Sequence, residues 1–224
     1  MGDHVREHNS ILMSVEKRFL VWTAPRLPRW VSSDHLTLLG MLGMVLGGLA
    51  YWASRWDERS LWLVVVALAL NWFGDSMDGT LARVRGHQRP RYGFYVDHVV
   101  DVVGVLFLVG GLTVSGYVTP VIGLGILIGF QVLAAESFLA THALGIFRLS
   151  FMRVGPTELR IVLALGTLFL LYRPRVEIVG FGPFLLFDIG GVCAIGAMLF
   201  ALSVSAIRNT IVLYRAEPVP SDEA

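Results

Sequence analysis

The chain has 224 residues, of which 55% are hydrophobic and 16% charged, and its 18 basic and 17 acidic side chains leave a net charge of +1. With a mean hydropathy of +0.66, it is too apolar for an ordinary water-soluble enzyme, where about a quarter of residues are charged, and too apolar for a disordered chain. Cys193 is the single cysteine, which excludes a disulfide scaffold, and no nucleic-acid partner is expected.

Ile11, Val15, Phe19 and Trp22 recur at helical spacing, with Glu16, Lys17 and Arg18 between them. Residues 1–30 therefore read as a cytoplasmic segment whose amphipathic helix lies in the membrane interface, stopped by Pro25 and Pro28. The alternative is a helix packed on the protein. No apolar core precedes a small-residue cleavage site, so no signal peptide is expected. Residues 36–53 carry no charge and are long enough to span a bilayer. The next apolar run, 61–74, is too short alone, so its helix must continue through Asp75 and Asp78 to about Ala82. A third span over 102–119 draws in Asp97 and Asp101 if its helix starts near Gly93. Residues 120–144 make a fourth, carrying Glu136; 157–172 make a shorter fifth; and 182–207 make a sixth, with Asp188 near its start.

The expected fold is thus all-α and integral to the membrane, with six transmembrane helices in one domain over 31–215 and a disordered tail over 216–224. In this topology fourteen of the 18 basic residues fall on the side of the N-terminus, which places both termini in the cytoplasm. Trp52, Trp56 and Trp62 bracket the outer loop between the first two spans as an aromatic belt.

Ionised carboxylates inside spanning helices are costly and mark function. Asp75 and Asp78 are spaced i, i+3, with Ala82 on the same face, and Asp97 and Asp101 are spaced i, i+4 on the next helix beside Gly93 and Gly104. The short link over 83–92 makes the two helices antiparallel neighbours, so the acid pairs face each other at one membrane level. Four convergent carboxylates need a strong positive charge among them, and hard oxygen ligands favour Mg²⁺, Mn²⁺ or Ca²⁺. Gly79 allows close approach of a ligand, Ala82 keeps the next turn narrow, and Arg83 presents a guanidinium suited to phosphate. The combination suggests a phosphate-bearing substrate at the membrane surface.

The run Asp75-Ser-Met-Asp78-Gly79-Thr-Leu-Ala82-Arg83, nine further residues, and then Gly93-Phe-Tyr-Val-Asp97-His-Val-Val-Asp101 resembles the signature of the CDP-alcohol phosphotransferase family. All the fixed positions of D-x-x-D-G-x-x-A-R and G-x-x-x-D-x-x-x-D are matched, and the six-span architecture fits over most of the chain. The resemblance implies transfer of a substituted phosphate from a CDP-linked donor to an alcohol, with release of CMP, in phospholipid biosynthesis. It implies that Asp75, Asp78, Asp97 and Asp101 hold one or two divalent ions, Mg²⁺ or Mn²⁺, that Asp101 is the general base, and that Gly79, Ala82, Arg83 and Gly93 line the CDP site at the cytoplasmic face. Homodimers are common in such families. Many members carry Pro-Asn ahead of the first span; here Ser33-Asp34-His35-Leu36-Thr37 keeps only the Thr. Thr37 remains a candidate nucleotide contact, while Ser33 and Asp34 read equally well as a helix N-cap.

Three features bear on the alcohol. His98 after Asp97, and Glu136 followed by Gly155-Pro156-Thr157-Glu158, are similar to the choline and ethanolamine phosphotransferases. In that subgroup Glu136 and Glu158 would contact an ammonium head group, and the acceptor would be a diacylglycerol-like lipid. Each feature has a structural alternative: Glu158 favours a helix N-terminus, Glu136 pairs with Arg148, Arg153 or His142, and His98 supports a ligand rather than being one. Asp188 caps the sixth span. Within the family, CDP-diacylglycerol with a small soluble alcohol stays open. Outside it, the alternative is a small ion or proton transporter, although transporters usually carry inverted repeats and all the motif acids here fall in one hairpin.

Overall fold

The computed structural model describes residues 13–144, 155–178 and 182–217. The N-terminal helix α1 (Met13–Thr23) runs into a 3₁₀ turn (Ala24–Arg26) where Pro25 ends it. Long helices follow: α2 (Ser33–Ala53), α3 (Ser60–Val84), α4 (Pro90–Ser115) and α5 (Pro120–Leu144), then the short α6 (Pro156–Leu170). A hairpin of β1 (Arg175–Ile178) and β2 (Gly182–Leu185) leads into α7 (Leu186–Ala216).

Among the described residues, five helices are long and apolar enough to cross a membrane: α2, α3, α4, α5 and α7. At the position of the expected fifth span, α6 has 15 residues. That is about 22 Å of helix, short of the roughly 30 Å hydrocarbon core. The expected sixth span also differs. Residues 182–185 pair with β1 in an antiparallel register, Arg175 opposite Leu185 and Ile178 opposite Gly182, and the helix starts only at Leu186. The alternation Arg175-Val176-Glu177-Ile178 is a strand pattern between the two expected spans, and its partner Gly182-Pro-Phe-Leu185 is apolar enough to be counted into the sixth span. The third helix begins earlier than expected, because Pro90 is tolerated in a first turn, and it ends at Gly116, whose φ of 91° suits a residue without a side chain.

The outer surface of α2 shows Leu38, Leu42, Leu46 and Leu49 at helical spacing, all exposed as a lipid-facing stripe should be. Its inner surface is glycine-rich. Gly40 packs so closely on Gly74 of α3 that a Cβ at Gly74 would lie 2.4 Å from the Gly40 nitrogen, and Asn71 donates to the Gly40 carbonyl at 3.0 Å. Against this close contact Met44, Tyr51, Leu61, Val64, Leu68, Leu108, Leu112 and Leu170 form the main core. Tyr51 Oη and Thr167 Oγ1 make a buried hydroxyl pair that ties α2 to α6 at 2.5 Å. Asp188 of α7 accepts from the Thr119 N–H and hydroxyl at 2.6 Å each, so it caps α5 rather than its own helix.

A second cluster, Leu20, Ala24, Leu36, Met77 and Leu81, docks α1 on α2 and α3. The stripe of Val15, Phe19 and Trp22 is exposed instead, because Glu16, Leu20 and Ala24 form the inward face. Ile11, Arg148, Arg153 and residues 218–224 lie outside the described residues.

Candidate active site

The acids lie on the last turns of α3 and the first turns of α4. One carboxylate oxygen from each of Asp75, Asp97 and Asp101 lies within 4.8 Å of the other two, and all three side chains are half-buried. Asp78, one turn on from Asp75, is the expected ligand outside this convergent group: Thr37 Oγ1 donates to its Oδ2 at 2.7 Å, the Gly79 N–H donates to its other oxygen, and the Ser33 hydroxyl donates to its carbonyl at 3.0 Å. The N-cap of α2 is Ser32, with His35 closing the capping box. Ser33 and Asp34 are therefore free of capping and face the site instead.

The two acid-bearing helices are not close neighbours. Among the described residues α3 and α4 each pack along α2, and the carboxylates reach across the gap that this leaves. The gap is a cavity of about 510 Å³ lined by Thr37, Asp78, Gly79, Ala82, Arg83, Gly93 and Asp97, among others. A Cβ at Gly93 would meet nothing within 4 Å, so the missing side chain is open volume. Arg83 donates to Thr80 Oγ1 at 3.2 Å, which holds its guanidinium at the wall beside Gly79. Across the mouth Asp34 pairs with Arg89, whose guanidinium lies 4.1 Å over the Tyr92 ring. The Asp34 carboxylate holds the exposed Arg89 guanidinium above its usual range.

The donor set fits a hard divalent cation: three carboxylates from two helices, converging and half-buried. Comparison with known proteins agrees with the site's chemistry. The family model described as CDP-alcohol phosphatidyltransferase matches residues 30–206. The chain belongs to this family. It is thus an integral membrane phosphotransferase of phospholipid biosynthesis. Its fold is similar to that of a phosphatidylinositol phosphate synthase from Mycobacterium tuberculosis, solved with CDP-DAG bound, at 19% identity and a TM-score of 0.58 over 92% of this chain and 98% of that one. No curated protein matches the sequence.

In this CDP-alcohol phosphatidyltransferase the other candidate residues are dispersed. His98 is buried, with Nδ1 2.6 Å from the Phe94 carbonyl and its ring between Phe94 at 4.1 Å and Phe138 at 5.0 Å. Glu158 accepts from the Gly155 N–H at 3.0 Å, closing the first turn of α6. Glu136 accepts from Ser205 and Asn209 of α7, at 2.9 Å each.

The structure adds residues that the motif omits. Arg160 of α6 donates to Asp75 Oδ2 at 2.6 Å and to Asn71 Oδ1 at 2.7 Å. Asn71 was legible, since it sits four residues before Asp75 as a polar side chain in an apolar run. Arg160 lies 85 residues from Asp75, and in the sequence it counts only toward topology.

Proposed function

We propose that the protein transfers a substituted phosphate from a CDP-linked donor to an alcohol with release of CMP, and that the transfer depends on a divalent metal. The observation that carries this reading is the convergence of Asp75, Asp97 and Asp101 at a cavity walled by Gly79, Ala82, Arg83 and Gly93. Asp97 belongs to both. Asp75, Asp97 and Asp101 would hold the ion, with Asp78 beside them on the donor side. A bound Mg²⁺ or Mn²⁺ would supply charge neutralisation of the donor diphosphate and of the departing CMP. The glycines leave room for the nucleotide, and Arg83 pairs with a phosphate oxygen. Asp101 accepts the proton of the acceptor hydroxyl as its oxygen attacks phosphorus and the bond to CMP breaks. By the excess of basic residues on that side, the site faces the cytoplasm.

For the alcohol, the reading follows Glu136. It is half-buried between α5 and α7 and already accepts from Ser205 and Asn209, so the reading rests on the sequence likeness to the choline and ethanolamine phosphotransferases, and a cationic head group would have to displace these donors. The donor is then CDP-choline or CDP-ethanolamine and the acceptor a diacylglycerol-like lipid. The second reading, CDP-diacylglycerol with a soluble alcohol, is favoured by the fold's likeness to a synthase solved with CDP-DAG. The test is CMP release by purified protein with Mg²⁺, pairing each of the three donors with lipid and soluble alcohols. Release from CDP-choline or CDP-ethanolamine supports the first reading. CMP from no donor at any Mg²⁺ or Mn²⁺ concentration overturns the function.

A further inference from the structure

Glu16 of α1 accepts hydrogen bonds from two other helices. Its Oε1 accepts from Trp72 Nε1 at 2.9 Å and from Ser76 Oγ at 2.7 Å, both on α3. Its Oε2 accepts from Thr157 Oγ1 on α6 at 3.0 Å. One side chain of α1 thus joins two helices that carry different parts of the site. Ser76 is the residue next to Asp75. Thr157 stands three residues before Arg160, on the same face of α6. Arg160, only 16% exposed, in turn grips Asp75 and Asn71. The face of α6 that presents Arg160 is therefore fastened to α3 on both sides of Asp75, once directly and once through Glu16.

We propose that Arg160 is a positioning residue for Asp75 and that Glu16 keeps it in place, so that the acid cluster's affinity for metal depends on a helix outside the motif. The inference rests on the reading that Asp75, Asp97 and Asp101 bind a divalent ion. Partners that orient a metal ligand typically govern affinity by about 10–100-fold. Charge alone predicts the reverse sign, because removing the Arg160 cation leaves a more negative cluster that attracts metal more strongly. The sign of the change therefore separates positioning from simple charge competition.

The experiment measures Mn²⁺ binding to the full chain in detergent by electron paramagnetic resonance, with monodispersity and Tm recorded for each variant. Arg160→Gln and Glu16→Ala are each expected to weaken Mn²⁺ binding about tenfold. The double variant should be no weaker than either single one, since both act through the same contact. Glu16→Gln should restore near-wild-type binding, because its amide still accepts from Trp72 and Ser76 and can donate to Thr157. Unchanged or tighter binding by Arg160→Gln, or additive losses of about a hundredfold in the double variant, overturns the proposal. No Mn²⁺ binding by the wild type overturns the metal reading itself, which is a separate and recognisable result.

Discussion

Gly74→Ala tests how far the site depends on the seating of α3 on α2. A Cβ at Gly74 would lie 2.4 Å from the Gly40 nitrogen and 2.5 Å from the Leu36 carbonyl oxygen, where ordinary contact begins at 3.4 Å. Both obstacles are backbone, so no side chain can swing away, and α3 must retreat by about 1 Å. Overpacking of this kind costs about 1–3 kcal/mol, a fall in Tm of several degrees at about 2–4 °C per kcal/mol for a chain of this size. Asp75 is the next residue and moves with the helix, which changes its spacing to the oxygens of Asp97 and Asp101. A displacement of about 1 Å can cost on the order of 100-fold in rate. The assay is CMP release beside thermal unfolding in the same detergent, with Gly110→Ala as the control because nothing lies within 4 Å of a Cβ there. Wild-type turnover and Tm in Gly74→Ala would refute the claim that backbone contact between α2 and α3 sets the acid geometry.

Asp101→Asn should lower CMP release by at least about 100-fold while the protein still inserts and elutes as a single species; normal turnover would remove the base assignment. Thr37→Val keeps the shape but deletes the hydroxyl on Asp78, a charge-assisted bond worth about 1.5–3 kcal/mol, and kcat/KM should fall at least about tenfold. Gly93→Leu places a side chain in the cavity and should raise KM for the CDP donor about tenfold with little change in Tm; an unchanged KM would mean that the donor lies elsewhere. Asp188→Ala removes the cap on α5 and should cost about 1 kcal/mol, seen as a Tm lower by about 2–4 °C with turnover retained.

What could be read from sequence was local. The i, i+3 and i, i+4 pairs of acids, the charge-free runs and the glycine positions follow from helical periodicity, and the structure places these residues on α3 and α4 at one end of the bundle. The reason for their convergence was less visible. The short link over 83–92 suggested that α3 and α4 touch, whereas α2 seats each of them and leaves a gap. Hydropathy windows also hid the hairpin before α7, since Phe184 and Leu185 of its second strand are apolar whether in a strand or a span. Contacts between distant segments, such as Arg160 with Asp75 and Glu16 with Thr157, leave no trace in spacing. Charged residues near a span read first as topology signals. Among the described residues Glu136, expected beside a cation, takes hydrogen bonds from Ser205 and Asn209, both polar positions within an apolar helix; Arg148 and Arg153 lie outside the described residues.

The buried pair of Tyr51 and Thr167 has a consequence for how α6 can change. Thr157, Arg160 and Thr167 fall on one side of the helix, and each is committed to a partner on another helix, so α6 is keyed at both ends like a spline in its groove. Inserting or deleting one residue between Arg160 and Thr167 would turn one end by about 100° relative to the other, and no rotation could then satisfy both. The opposite side, with Leu159, Val162, Leu165 and Phe169, is exposed and answers only to the need to be apolar. Substitutions can accumulate there freely, while the length of the segment between the two fastenings stays fixed.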